Sequence, residues 1–239
     1  MIQSFDQTRD IAIVEDPVTF ATDYFLKIAQ EAILTRGYFT VALSGGSTPK
    51  ALYNRLKQHK NAIDWSKVYV FFSDERSVSP TSCESNYFMA MENGFADLPV
   101  PTTQIFRMKA ESNIKNGAIE YETLIKQYVP DESFDLILLG MGDDGHTASL
   151  FPETSALNET FRMVIENNVP QKNTVRMTFT YSLIKKAQHV LFLVVGDGKS
   201  EMVKTVLTDK GGKYPAGLVT SSYRKVLWIL DLKSGEKLR

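Results

Sequence analysis

Five short apolar runs punctuate the chain: Phe39–Leu43, Val68–Phe72, Leu136–Leu139, Val190–Val195 and Val226–Leu230. They are rich in aliphatic, β-branched and aromatic residues, the pattern of strands buried on both faces. Between them, apolar positions fall at helical spacing. Ala21, Phe25, Ile28 and Ala32 share one helical face, and Gly37 suits the C-terminal cap of that helix. Ile114, Ala118, Tyr121, Ile125 and Tyr128 form a second stripe. Thr81 and Glu84 stand at capping-box spacing ahead of a helix toward Met91. Strands alternating with helices predict an α/β fold, a mostly parallel sheet flanked by helices on both faces. There is no internal repeat and no low-complexity linker. Residues 1–239 therefore read as one domain, with Leu98–Thr103 a loop inside it.

In a parallel sheet, whatever follows the strands emerges at one edge, and open α/β sheets bind ligands there. The polar segments following four of the runs are Ser44–Pro49 (SGGSTP), Ser73–Arg76 (SDER), Gly140–His146 (GMGDDGH) and Gly196–Ser200 (GDGKS). Four glycine-rich or charged turns are thus expected to converge on one crevice.

Ser44, Gly45, Gly46, Ser47 and Thr48 read as a phosphate cradle. A Gly-Gly turn opens a helix there, Thr48 can cap it, and Pro49 suits its first position. Free backbone N–H groups and the helix dipole favour an anion; the plainer reading is a well-capped strand–helix turn. Gly140–Gly145 spells the glycine spacing of a dinucleotide fingerprint, but Pro152 follows too soon for the long helix that fingerprint must open. Gly198-Lys199-Ser200 resembles the end of a P-loop, yet the glycine required five residues earlier is Leu193. Lys199 remains a point charge for a phosphate or an oxyanion, or a plain surface lysine.

His146 differs from His59 and His189, which read as structural. It lies in a glycine-rich turn beside Asp143 and Asp144. A carboxylate partner can fix its tautomer and raise its basicity, as a general base requires; the alternative is a structural histidine. Asp74, Glu75 and Arg76 at a strand end point to substrate contact rather than to a surface charge cluster. Arg176 precedes a helix expected near Thr180, and its guanidinium could grip a phosphate bidentately or form a surface ion pair. No metal-ligand spacing occurs. Ser47 and Ser149 lack the G-x-S-x-G frame of an acylated nucleophile.

Composition narrows the class further. The net charge of −1 argues against a nucleic-acid partner recognised by bulk field. The single cysteine, Cys83, forms no internal disulfide. The N-terminal segment is acidic and interrupted, unlike a signal peptide, and the longest apolar run is too short to span a bilayer. A cytoplasmic protein without membrane partner is the expectation.

The blocks SGGSTPKALY, FFSDERSV with SNYFM, DLILLGMGDDGHTASLFPET, RMTFT, GDGKSEMV and VLWILD resemble, in order, those of the 6-phosphogluconolactonases. That family shares a superfamily with the glucosamine-6-phosphate deaminases/isomerases. The deaminase branch typically carries Asp-Glu-Tyr where this chain has Asp74-Glu75-Arg76. It also carries a glutamate before the proline, where this chain has Phe151. Both differences favour the lactonase branch. The resemblance implies a modified Rossmann-like sheet, no cofactor or metal, and hydrolysis of 6-phospho-D-glucono-1,5-lactone to 6-phosphogluconate in the oxidative pentose phosphate pathway. It leaves a monomer or homodimer open. His146 would be the base and Asp144 its orienting partner. Ser44–Thr48, Asp74, Arg76, Arg176 and Lys199 would bind substrate, with the division of the cations between phosphate and oxyanion undecided. A deaminase, or a non-catalytic sugar-phosphate sensor, is the alternative; a sensor has no need of a base.

Overall fold

The computed structural model describes residues 1–239. Ten strands form two sheets. The main sheet holds β1 (Gln3–Ser4), β2 (Arg9–Val14), β3 (Phe39–Leu43), β4 (Val68–Phe72), β6 (Leu136–Leu139), β9 (Val190–Val194) and β10 (Val226–Asp231), in the order β1-β2-β10-β9-β6-β3-β4. All its pairings are parallel except β1 with β2. β5 (Asp74–Arg76), β7 (Val164–Val169) and β8 (Thr174–Phe179) make a small antiparallel sheet in the order β5-β8-β7. β4 runs into β5 through the single residue Ser73, so the small sheet grows from the carboxyl end of the large one.

The five apolar runs become five parallel strands, β3, β4, β6, β9 and β10, with β4 at the sheet's end, and all their residues are buried except the half-buried Tyr69 and Val195, the latter just past β9. The first helical stripe becomes α1 (Pro17–Arg36). Asp16 caps it by accepting the Thr19 N–H at 2.9 Å, and Gly37 closes it in the left-handed conformation at φ 84°. The helix buries Ala21, Phe25, Ile28 and Ala32 against the sheet. The other helices are α2 (Ser47–Leu56), α3 (Asn86–Ala90), α4 (Ile114–Tyr128), α5 (Tyr181–Ile184) and α6 (Ser200–Thr208). No helix is long and apolar enough to cross a membrane.

Asp135, just before β6, accepts the Thr40 N–H at 2.8 Å and the Thr40 hydroxyl at 3.1 Å, and pairs with Arg36. These bonds pin β3 to β6 at their amino ends. The carboxyl ends diverge into the long turns that build the site.

Two expectations are corrected. Gly46, not Thr48, is the N-cap of α2; Ser47 opens the helix and Pro49 is its third residue. The helix toward Met91 starts later than the Thr81–Glu84 spacing implied. Ser85 caps α3 by accepting the Phe88 N–H, because the preceding segment is held in tight turns of its own. The expectation that Arg176 precedes a helix near Thr180 holds: Thr180 caps α5, and Arg176 lies on the strand before it, β8.

Candidate active site

The four turns after β3, β4, β6 and β9 line one cavity of about 220 Å³. After β3, the Tyr53 hydroxyl donates to Ser44 O at 2.8 Å and accepts the Ser44 N–H at 3.1 Å, which fixes the start of the turn. A side chain at residue 45 has no room: a Cβ on Gly45 would lie 1.8 Å from Asn86 Oδ1. Gly46 takes φ 115°, where side-chain-bearing residues are strained. The turn therefore brings bare backbone to the cavity at the N-terminus of α2, a setting that favours anions.

β5 sorts its three charged residues by strand alternation. Asp74 and Arg76 line the cavity. Glu75 turns away and accepts N–H bonds from Arg76, Asn86 and Tyr87 and a hydroxyl bond from Ser85, which anchors the start of α3. Burial raises the Glu75 pKa, against those donors. The Asp74 carboxylate is buried and held by two neutral donors, Ser149 Oγ at 2.7 Å and Asn86 Nδ2 at 3.0 Å. Arg76 stands directly opposite Arg176 in the β5–β8 ladder. Two like charges on opposed residues repel, and neither arginine forms a salt bridge to a carboxylate. The Nε–H groups of both find no acceptor in the protein. Burial lowers the Arg176 pKa, with Arg76 lowering it further and Asp74 opposing. Such a pair calls for an external anion.

After β6 the chain folds back on itself. Gly142 N–H donates to His146 O at 2.9 Å, and Gly145, at φ 75°, donates to Gly142 O at 3.1 Å. A Cβ on Gly142 would sit 2.0 Å from His146 Nδ1. Of the glycines that mimic a dinucleotide fingerprint, Gly142 thus makes space for the imidazole, and Gly145 for Tyr214. His146 Nδ1 lies 2.5 Å from Asp144 Oδ1, which also accepts the His146 backbone N–H at 3.1 Å. An ionised carboxylate only accepts hydrogen bonds, so the proton is on Nδ1 and Nε2 carries the free lone pair. Burial lowers the His146 pKa below its ordinary 6.5, more than Asp144 and Asp74 raise it. Burial also raises the Asp144 carboxyl, but its bonds from His146 outweigh this and bring it below the ordinary value. The imidazole is therefore neutral near pH 7 and partnered by an anion.

Lys199, at the N-terminus of α6, reaches across to the β6 turn. Its Nζ donates to Met141 O at 3.0 Å and to Asp143 Oδ1 at 2.5 Å. These two bonds tie α6 to the histidine-bearing loop.

Of the sequence-selected residues, all line the cavity except Asp144, which grips the imidazole from behind, and Glu75, whose expected substrate contact is not found because strand alternation turns its carboxylate toward the start of α3. Sequence reasoning missed Asn86 and Ser149 as the partners of Asp74, and Phe151 as the ring stacked on His146. Asn86 lies in the SNYFM block, but nothing local marked it as the partner of Asp74. No group of three or more His, Cys, Asp or Glu side chains gathers as metal ligands.

The family model for glucosamine-6-phosphate isomerases/6-phosphogluconolactonase matches residues 14–228. The 6-phosphogluconolactonase of Chlamydia pneumoniae is 40% identical over 238 residues, covering 97% of this chain and 91% of that one. The 6-phosphogluconolactonase of Synechocystis is 39% identical over 217 residues, covering 87% of this chain and 88% of its own. Among solved structures, the 6-phosphogluconolactonase of Trypanosoma brucei superposes with a TM-score of 0.84 at 28% identity, over 99% of this chain and 100% of that one. A phosphate-suited turn, an opposed arginine pair and a carboxylate-held imidazole meet at the strand ends of a fold shared with these proteins: the chain belongs to the glucosamine-6-phosphate isomerase/6-phosphogluconolactonase family.

Proposed function

We propose that this chain is a 6-phosphogluconolactonase of the cytoplasm. It hydrolyses 6-phospho-D-glucono-1,5-lactone to 6-phosphogluconate in the oxidative pentose phosphate pathway, without metal or cofactor. The observation that carries this reading is a neutral, Asp144-held imidazole in the same cavity as two arginines that lack a carboxylate partner. The substrate offers a match for each: an ester carbon for a base-activated water, and a phosphate for the guanidinium pair.

Arg76 and Arg176, with Ser44, Gly45, Gly46, Ser47 and Thr48, hold the phosphate. This binding, remote from the ester, orients the lactone ring. Asp74, aimed by Ser149 and Asn86, accepts hydrogen bonds from sugar hydroxyls. His146 Nε2 takes a proton from water as its oxygen bonds to C1, and the carbonyl π electrons move onto oxygen. Lys199 has three N–H donors, of which two are engaged. The third stabilises the oxyanion. When the intermediate collapses, the bond from C1 to the ring oxygen breaks. Nε2–H then protonates the departing oxygen, which returns the imidazole to neutrality. Asp144 stabilises the imidazolium between these two transfers.

The deaminase reading finds no support in the site. Its branch places a glutamate where Phe151 packs its ring against His146, so no second carboxylate stands there. The discriminating experiment offers the purified protein both substrates. Acid release from fresh 6-phosphogluconolactone, above the spontaneous rate, is expected; ammonia release from glucosamine-6-phosphate is not. The reverse result would overturn the assignment.

A further inference from the structure

An imidazole held by one hydrogen bond can still swing about that bond. Asp144 fixes the Nδ1 edge of His146, but an edge contact alone does not set the plane of the ring. The plane is set by Phe151. Its ring stacks on the imidazole with centroids 3.9 Å apart and planes 18° from parallel. Phe151 is wholly buried, five residues after His146, and between them Ala148 takes the left-handed φ of 47°. That strained residue turns the chain back so that the two rings meet. The same phenyl ring lies under the Arg176 guanidinium, whose Cζ is 5.4 Å from its centroid. One apolar side chain therefore touches both the base and a cation of the phosphate anchor, which come from separate elements.

We propose that Phe151 is a positioning residue for the hydrolysis. It aims Nε2 of His146 at the water and ties the setting of that ring to Arg176. The inference rests on reading His146 as the base. A lone apolar filler at position 151 would need volume; an aiming surface needs a flat ring. Leucine supplies volume without the plane, and tyrosine keeps the plane.

The test compares Phe151→Leu, Phe151→Tyr and His146→Ala with the native enzyme on fresh 6-phosphogluconolactone. NMR of the His146 ring protons provides a readout independent of activity. In the native protein these protons are expected upfield of an unstacked histidine, through the ring current of Phe151. Phe151→Leu should abolish that shift and lower kcat by about 10–100-fold, the scale of misaimed reacting groups. KM should rise by less than kcat falls, and Phe151→Tyr should recover most of kcat. The aiming role is refuted if Phe151→Leu keeps native kcat while His146→Ala loses it. It is equally refuted if the native ring protons show no upfield shift, a measurement that needs no folded variant. Should His146→Ala itself keep native kcat, the reading of the base fails, and the aiming role with it.

Discussion

Replacing Asp144 by asparagine isolates charge from geometry. Asparagine can still offer an oxygen to His146 Nδ1–H at the present 2.5 Å site, so the ring stays in place. What disappears is the negative charge facing the imidazolium that forms when water is deprotonated. Asp144 is partly open to solvent, with 40% of its side chain exposed, so its charge acts through a screened path. A hydrogen bond to a charged group is worth about 1.5–3 kcal/mol. At about 1.4 kcal/mol per tenfold in rate, the loss in kcat should be roughly 10–100-fold. The pH profile gives a second readout. The base works only as neutral imidazole, so kcat/KM falls as pH drops through its pKa, which lies below 6.5 in the native site. Asp144 raises that pKa, so the acid limb of Asp144→Asn should move to still lower pH while its plateau falls. Initial rates of acid release at constant pH, corrected for spontaneous hydrolysis, measure both. Native kcat, or an acid limb displaced upward, would refute the argument.

Arg176→Ala should raise KM for the phosphorylated lactone and leave unphosphorylated gluconolactone little changed; an unaltered ratio of the two KM values removes Arg176 from the phosphate anchor. Gly45→Ala would place a Cβ 1.8 Å from Asn86 Oδ1, forcing Asn86 off Asp74. Its kcat/KM should fall at least about tenfold by loss of substrate alignment, and a crystal structure with Asn86 unmoved would contradict this. His189 bears on stability rather than catalysis. Burial lowers its pKa to about 4, against 6.5 for the ordinary imidazole, with Arg224 adding to the effect. Between those values the unfolded chain binds a proton that the folded chain does not, so stability is lost as pH falls from 6.5 toward 4. His189→Gln should flatten denaturant-unfolding stability across that window; an unchanged slope would show that another group is responsible.

The parallel core was legible because its strands are buried on both faces and read as unbroken apolar runs. The small antiparallel sheet was not. β5 reads Asp-Glu-Arg and β7 reads VIENNV, and Asp74, Glu75 and Asn167 go inside only because distant partners meet them. Asn167, buried on β7, donates to Ser149 O and Thr154 Oγ1. Glu75 is buried beneath the start of α3. Alternation along β5 would have separated Glu75 from Asp74 and Arg76, had that triplet been recognised as a strand. β2 was hidden for a related reason: it lies next to the sheet edge, and only Ile11 and Ala12 are fully buried. In the site, the histidine, its carboxylate and the four turns were readable from local sequence. The facing of Arg76 and Arg176, the hold of Ser149 and Asn86 on Asp74, and the stacking of Phe151 were not. Each depends on residues brought together from separate strands or by a backbone turn that local composition does not announce.

The central claim is that His146 activates the water. The most direct test is kcat of His146→Ala on freshly made 6-phosphogluconolactone, with 6-phosphogluconate binding measured on the same sample to confirm an intact pocket. General-base removal predicts a fall of about 10²–10⁴-fold with product affinity retained. A variant that keeps kcat within about twofold of native, far short of a base's contribution, would contradict the account.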